Sequence, residues 1–293
     1  MGTLTASEAN NKSNHGVYAL ANGAAAVRRL FVLQSVYEPT GRRILLQAGL
    51  KPGMHVADFG CGVGAATRML GEMVGNSGSV TGIDISGEQV EQASAICRSA
   101  GLKNTDFQTA DACNTGLRSD SFDLVYCRFL LLHLTDPAAC LREMRRVLRP
   151  DGIIVVEDGD LASAASVPPT ALDAFADLFT RLAPLRGVNY SIANNLFHLV
   201  KAAGFANPHI EIHQPAGTAG ETAALLAMSV AEAGPALVAA GLITGPQLKR
   251  TVAEMEGASY DRDVLTLAPR MSIVWARKIA LEGGRTYRNL TGS

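Results

Sequence analysis

Residues 56 to 64 read VADFGCGVG, and their types and spacing suit one task, holding a nucleotide-like ligand against bare backbone. An apolar run (Val56, Ala57, Phe59) is broken by one carboxylate, Asp58, and ends in the alternating glycines Gly60, Gly62 and Gly64. The run reads as a parallel strand buried on both faces. The glycines read as a tight turn whose backbone approaches a ligand with no Cβ in the way. A helix pattern follows from Ala65 to Met73. Strand, turn and helix together make a nucleotide-binding corner at the carboxyl edge of an open sheet.

Gly60, Gly62 and Ala65 also satisfy the dinucleotide fingerprint, so a nicotinamide-dependent oxidoreductase is one reading. Asp58 argues against it, because a pyrophosphate at a helix N-terminus needs positive potential. S-adenosylmethionine carries an ammonium and a sulfonium and no phosphate, so a carboxylate there is favourable. Asp58 as a helix cap or loop brace is the plainer alternative. The logic then repeats. GSVTGID (78–84) is a short strand ending in Asp84, placed to accept ribose hydroxyls. DFQTADA (106–112) is a third, ending in Asp111 near the expected adenine amino group. SFDLVYCRFLLLHL (121–134) is a fourth strand running into a helix, and LRPDGIIVVED (148–158) a helix end, a Pro/Gly turn and a fifth strand.

In that order, D-x-G-x-G-x-G, Asp84, Asp111, FDLVYCRFLLLHL and LRPDGIIVVED resemble the class I S-adenosylmethionine-dependent methyltransferases, in the small-molecule branch related to ubiquinone and menaquinone methyltransferases. The resemblance runs from about residue 15 to 160 and continues weakly to the C-terminus. It implies an α/β Rossmann-like fold, a mostly parallel sheet of seven strands with a reversed last strand. It also implies a helical arm closing over S-adenosylmethionine, whose product is S-adenosylhomocysteine. Tyr18 matches an arm tyrosine that reaches the methionyl carboxylate, or it packs on the core surface. Gln34 lies further along the arm and could face the cofactor. Gln89 would reach a ribose hydroxyl, Ile85 would pack on the adenine, and Ala112 would lend it a backbone N–H. Arg128 and Phe129 would line the methionyl end, unless Arg128 pairs with a surface carboxylate. Cys61 lies inside the glycine loop for its small side chain.

Methyl transfer is an in-line displacement that needs alignment and exclusion of water. A base is needed only where the acceptor must lose a proton. His133, in an apolar run, is the candidate by its ordinary pKa, or else it is a hydrogen-bonded core histidine. Glu157, Asp158 and Asp160 crowd the end of the fifth strand; the first two are candidate catalytic groups, and Asp160, with Asn189 and Tyr190, a candidate for the acceptor pocket. YCRF stands where relatives that methylate amide or base nitrogens carry N/D-P-P-Y/F. Zinc-ligand spacing, HExxH and GxSxG are absent, so no metal is expected.

The elements that must position these residues fall into four stretches. Residues 1–14 are polar and expected to be a disordered tail with no signal peptide. Residues 15–50 form the arm, broken at Pro39 and Gly41. Residues 51–160 form the cofactor core. Residues 161–293 carry strands at 209–215 and 271–279, with helices at about 169–183, 191–203, 220–232 and 246–257. Within that last part, 216–270 reads as a helical cap whose Leu225, Leu226 and Met228 face an apolar acceptor, or as plain core or a homodimer face. The chain has 293 residues and a net charge of −1, with no basic run for nucleic acid and no stretch read as long enough to span a bilayer. Five cysteines without a CxxC pair suit reduced thiols in a cytoplasmic protein. The expectation is a methyltransferase acting on O or C of a small, largely apolar metabolite (quinone, polyketide, terpenoid or indole-like); a non-catalytic cofactor-binding relative is the other rival.

Overall fold

The computed structural model describes residues 24–279; the tail expected at 1–14 and Tyr18 lie outside them. In chain order the elements are α1 (Ala24–Ala48), β1 (His55–Phe59), α2 (Ala65–Val74), β2 (Ser79–Asp84), α3 (Gly87–Ser99), β3 (Thr105–Thr109), β4 (Phe122–Arg128), α4 (Pro137–Val147) and β5 (Leu148–Asp160). Then come β6 (Ala165–Val167), α5 (Ala174–Arg186), α6 (Leu196–Ala202), β7 (Ala206–His213), β8 (Ala216–Thr218), α7 (Glu221–Ala239), α8 (Gly245–Ala258), β9 (Leu265–Leu267) and β10 (Arg270–Arg277).

Seven strands form one sheet in the order β3-β2-β1-β4-β5-β10-β7. The pairs from β3 to β5 are parallel, and β10 runs antiparallel to both β5 and β7. The expected fold, with its reversed last strand, is therefore observed. Central strands are apolar on both faces because helices cover both. Val56, Leu124, Tyr126, Ile153 and Val155 pack under α1 and α2, while Ala57, Phe59, Val125, Cys127, Ile154 and Val156 pack on the side of α4 to α7.

Several expectations need correction. Helix α1 does not break at Pro39 and Gly41 but runs unbroken through both. Gly41 is there for close approach, since a Cβ on it would stand 3.0 Å from the Glu157 Oε1. After β4 the chain makes only a 3-10 turn, Leu131–His133, before Asp136 caps α4 through the Ala139 N–H. The stretch between β7 and β10 is not wholly helical: β8 and β9 join β6 in a small three-stranded sheet. Helix α7, at 19 residues, is long and apolar enough to cross a membrane by composition, contrary to the sequence reading, but 56% of the apolar window lies buried inside the protein. It packs as a core helix against α1, α5 and α8.

Candidate active site

The carboxyl ends of β1, β2 and β4 open into a cavity of about 530 Å³, roofed by α1, α5 and α7. Gly60, just past β1, has φ 69°, and a Cβ on it would lie 2.8 Å from the Leu130 side chain; only glycine fits that turn. The Gly62 N–H donates to Asp84 Oδ2 at 2.9 Å and the Ser86 N–H to Oδ1 at 3.0 Å, so Asp84 braces the glycine loop from the end of β2. Ser86 also caps α3.

Asp58, Gly60, Cys61, Gly62, Asp84, Ile85, Gln89, Asp111, Ala112, Arg128, Phe129 and His133 all line this cavity. Eleven of the thirteen expected cofactor residues are thus gathered in one place. Ile85 is 52% exposed on its rim. Asp111 lies past β3 in a turn where it accepts the Cys113 N–H at 2.8 Å. Burial pushes the Cys61 thiol well up, consistent with a filler rather than a nucleophile. Gln34 is the exception. It is buried behind the wall, accepting a hydrogen bond from Arg128 Nη2 and donating to Glu38 Oε2 at 2.8 Å, so it orients Arg128 and does not line the cavity.

The polar end carries an unmet charge pattern. Asp58 is fully buried and accepts the Thr67 hydroxyl at 2.6 Å. Burial still pushes its pKa up to about 7, against Thr67 and Arg128. Arg128 Nη1 is buried with no hydrogen-bond partner. Burial works against the Arg128 charge, yet Tyr126, Glu157 and Asp58 together hold its pKa above the ordinary value. A wall with one disfavoured anion and one guanidinium nitrogen still without a partner fits a ligand bearing both an ammonium and a carboxylate.

The candidates at the end of β5 are not in the cavity. Strand pleating turns neighbours to opposite faces. Glu157, paired in register with Arg128, points under α1 to Gly41. Neither of its oxygens has a hydrogen bond of full geometry. Burial lifts its pKa to about 7, against the Arg128 charge and the nearby Tyr126 hydroxyl. Asp158 points the other way and accepts the N–H groups of Leu131 (2.8 Å), Leu132 (3.3 Å) and Gly159 (2.9 Å), bracing the turn that carries His133. Asp160 pairs with Arg270 at 2.8 Å. Asn189 is exposed and closes a turn on the Ser191 N–H. Tyr190 is buried behind His133, edge-on to it at 5.6 Å, and Met228 lies on α7 outside the lining. All six lie outside the cavity lining.

His133 does line the cavity, but burial, reinforced by the charges of Arg29 and Arg186, lowers its pKa to about 3. The ordinary pKa that suggested a base does not survive in this setting. Leu132, Leu161, Phe175, Phe179, Leu225 and Leu226 form the rest of that end. Leu225 and Leu226 were foreseen. Arg29 and Tyr37, both from α1, were missed. Tyr37 donates to the Pro269 carbonyl at 2.8 Å and meets Phe129 edge-on. The missed signal was helical spacing, since Arg29, Leu33 and Tyr37 stand four apart on α1 and all line the cavity.

Residues 50–198 match a family model described as a methyltransferase domain. Demethylmenaquinone methyltransferase of Staphylococcus aureus is 29% identical over 167 residues, 57% of this chain and 67% of that protein. Nocamycin O-methyltransferase of Saccharothrix syringae is 29% identical over 61% of this chain and 68% of its own length. Cycloartenol-C-24-methyltransferase 1 of rice is 37% identical over 36% of this chain, and the match spans only 31% of that protein. Among solved structures, a SAM-dependent methyltransferase from Aquifex aeolicus shares the fold with a TM-score of 0.52 at 18% identity, over 88% of this chain and 100% of that one.

Proposed function

The chain belongs to this methyltransferase domain family, whose methyl donor is S-adenosylmethionine, and from that premise we propose that it methylates an O or C atom of a small, largely apolar metabolite. The observation that carries the reading is the cavity's division into two chemically distinct ends. Asp58, Asp84, Asp111 and Arg128 stand at the sheet edge, and leucines and phenylalanines from α5, α7 and the 129–135 turn face them.

When bound, the donor supplies an electrophilic methyl group on a sulfonium. Asp58 and Arg128 would hold its ammonium and carboxylate, Asp84 and Gln89 its ribose, and Ile85, Asp111 and Ala112 its adenine. Gln34 fixes Arg128, and Asp158 fixes the turn between the two ends. Helix α1 would act as the arm over the donor. The apolar walls exclude water and align the acceptor, which is most of what such a displacement requires. A quinone, polyketide, terpenoid or indole-like ring suits those walls, and the names of the quinone, sterol and nocamycin relatives support that class. A nicotinamide oxidoreductase has no support from the family.

The test is incubation of the protein and methyl-labelled S-adenosylmethionine with quinones, phenols, indoles and prenyl compounds, read by mass spectrometry. A mass-shifted product, positioned by fragmentation, is the expected result. No product, with S-adenosylhomocysteine binding intact, would favour a non-catalytic relative. Absence of binding as well would overturn the donor assignment.

A further inference from the structure

At its acceptor end the cavity is walled mostly by leucines and phenylalanines, with Ser229 and His133 among them and one cation, from α1. Arg29 is 5% exposed and lines the cavity. Its Nε donates to Glu232 Oε2 of α7 at 2.6 Å, and its Nη2 reaches Oε1 at 3.4 Å. Glu232 is 8% exposed and does not line the cavity. The pair is therefore a dipole with its positive end at the chamber wall and its negative end behind it. A guanidinium carries more N–H donors than one carboxylate takes up. Its charge acts on His133, from the turn after β4, as does the charge of Arg186 on α5. Neither offers a base, since His133 stays neutral through the physiological range. The Ser229 hydroxyl, also on the wall, is already given to the Leu225 carbonyl at 2.8 Å.

A buried cation at this end, with no base among the described residues that line it, suits an acceptor that is already ionised. We propose that Arg29 recognises the oxygen of an acidic phenol or enol, and that the acceptor is taken as its anion. This rests on the methyltransferase reading above and names the substrate class within it. The balance is simple. The acceptor loses its proton to solvent before entering. Its oxygen, or the ring or enol carbon conjugated to it, then uses one electron pair to bond the methyl carbon. The carbon–sulfur bond breaks with its pair going to sulfur, so the sulfonium charge and the acceptor's negative charge cancel. Glu232 holds Arg29 in place and tempers its charge.

The sign of a pKa shift separates this from ordinary packing. An apolar chamber alone favours a neutral phenol and raises its pKa, whereas a facing guanidinium lowers it. The probe is 4-nitrophenol, whose phenolate absorbs visible light. It is titrated with excess protein after calorimetry has established S-adenosylhomocysteine binding in the same sample. The expected result is a bound pKa about one unit below that in solution, a roughly tenfold preference for the anion. Arg29→Gln should abolish the preference, and Glu232→Gln, by removing the counter-charge, should increase it. A merely structural pair would give losses of the same sign in both variants. The double variant Arg29→Gln/Glu232→Gln removes both charges without leaving either buried alone, and should behave as Arg29→Gln does. A bound pKa at or above the solution value overturns the inference, as does an unchanged shift in Arg29→Gln or no probe binding to the S-adenosylhomocysteine complex. Failure of S-adenosylhomocysteine itself to bind would instead strike the donor assignment.

Discussion

Replacing Glu157 with glutamine should make the protein more stable at alkaline pH relative to the parent than at acidic pH. The carboxyl is wholly buried, and neither oxygen has a hydrogen bond of full geometry. Its pKa is pushed from 4.5 to about 7 by burial, against Arg128 and Tyr126. The folded pKa lies above the unfolded one, so between about pH 4.5 and 7 the folded state keeps a proton that the unfolded chain has released. This group's contribution to stability therefore falls as pH rises through that window. The ionised form costs the fold about 3 kcal/mol at pH 8 and about 1 kcal/mol at pH 5. Glutamine never ionises. Its amide carries its own burial cost, but that cost does not change with pH. Urea denaturation of both proteins at pH 5 and pH 8 should show the variant gaining about 2 kcal/mol on the parent between the two. A difference that stays constant, or a variant that loses ground at pH 8, would mean that Arg128 keeps Glu157 ionised and well paired. Methyl transfer by the variant should stay within about tenfold of the parent, because the side chain points to Gly41 and not into the cavity.

Asp84→Ala should weaken S-adenosylhomocysteine binding by about 1–3 kcal/mol, since it removes the proposed ribose acceptor together with the brace on the Gly62 N–H. Calorimetry showing unchanged affinity would refute the placement. The rate of methyl transfer between pH 5 and 8 should show no limb from His133, whose pKa is lowered by burial to about 3; a limb near pH 6.5 that vanishes in His133→Ala would restore it as a base. Gly41→Ala should cost about 1–2 kcal/mol in denaturation, because its Cβ would stand 3.0 Å from the Glu157 carboxylate. Most of that loss should disappear in a Glu157→Ala background, and additive losses would break the assigned contact.

The polar end of the cavity was legible because it is written locally. Asp58 with its glycines, Asp84 and Asp111 each stand at a strand end, and a parallel sheet brings strand ends to one edge. The acceptor end is assembled from residues far apart in the chain, such as Arg29, Phe175 and Leu226, and a leucine facing a cavity has the same local pattern as one facing the core. Glu157 and Asp158 were misplaced for a physical reason visible in the sequence itself. Neighbours on a strand take opposite faces, so both could not reach one site, and in the fold neither does. The break expected at Pro39 failed because α1 packs along its length on α2, α7 and the sheet, and tertiary contact overrides a local helix breaker. Arg29 was a legible sign left unread, a buried charge on the same helix as Tyr37.

The two ends of the cavity also bear on how proton transfer is arranged. Walls that exclude water from a sulfonium also desolvate whatever stands among them, and desolvation disfavours every charged form. His133 shows the result: the setting that would protect the reaction makes its imidazole too weak a base to remove a proton at neutral pH. Asp158, which braces the same turn, is occupied by three backbone N–H groups. Glu157 is on the other face. A site built this way favours acceptors that ionise in solution over those that need a base inside. Positive charge at the wall then matters more than basicity, and Arg29 is the acceptor-end residue that supplies it. On this reasoning, activity across a set of phenols of similar shape should follow the fraction ionised in solution. A set in which weakly acidic phenols are methylated as fast as strongly acidic ones at neutral pH would require a base that the described residues do not provide.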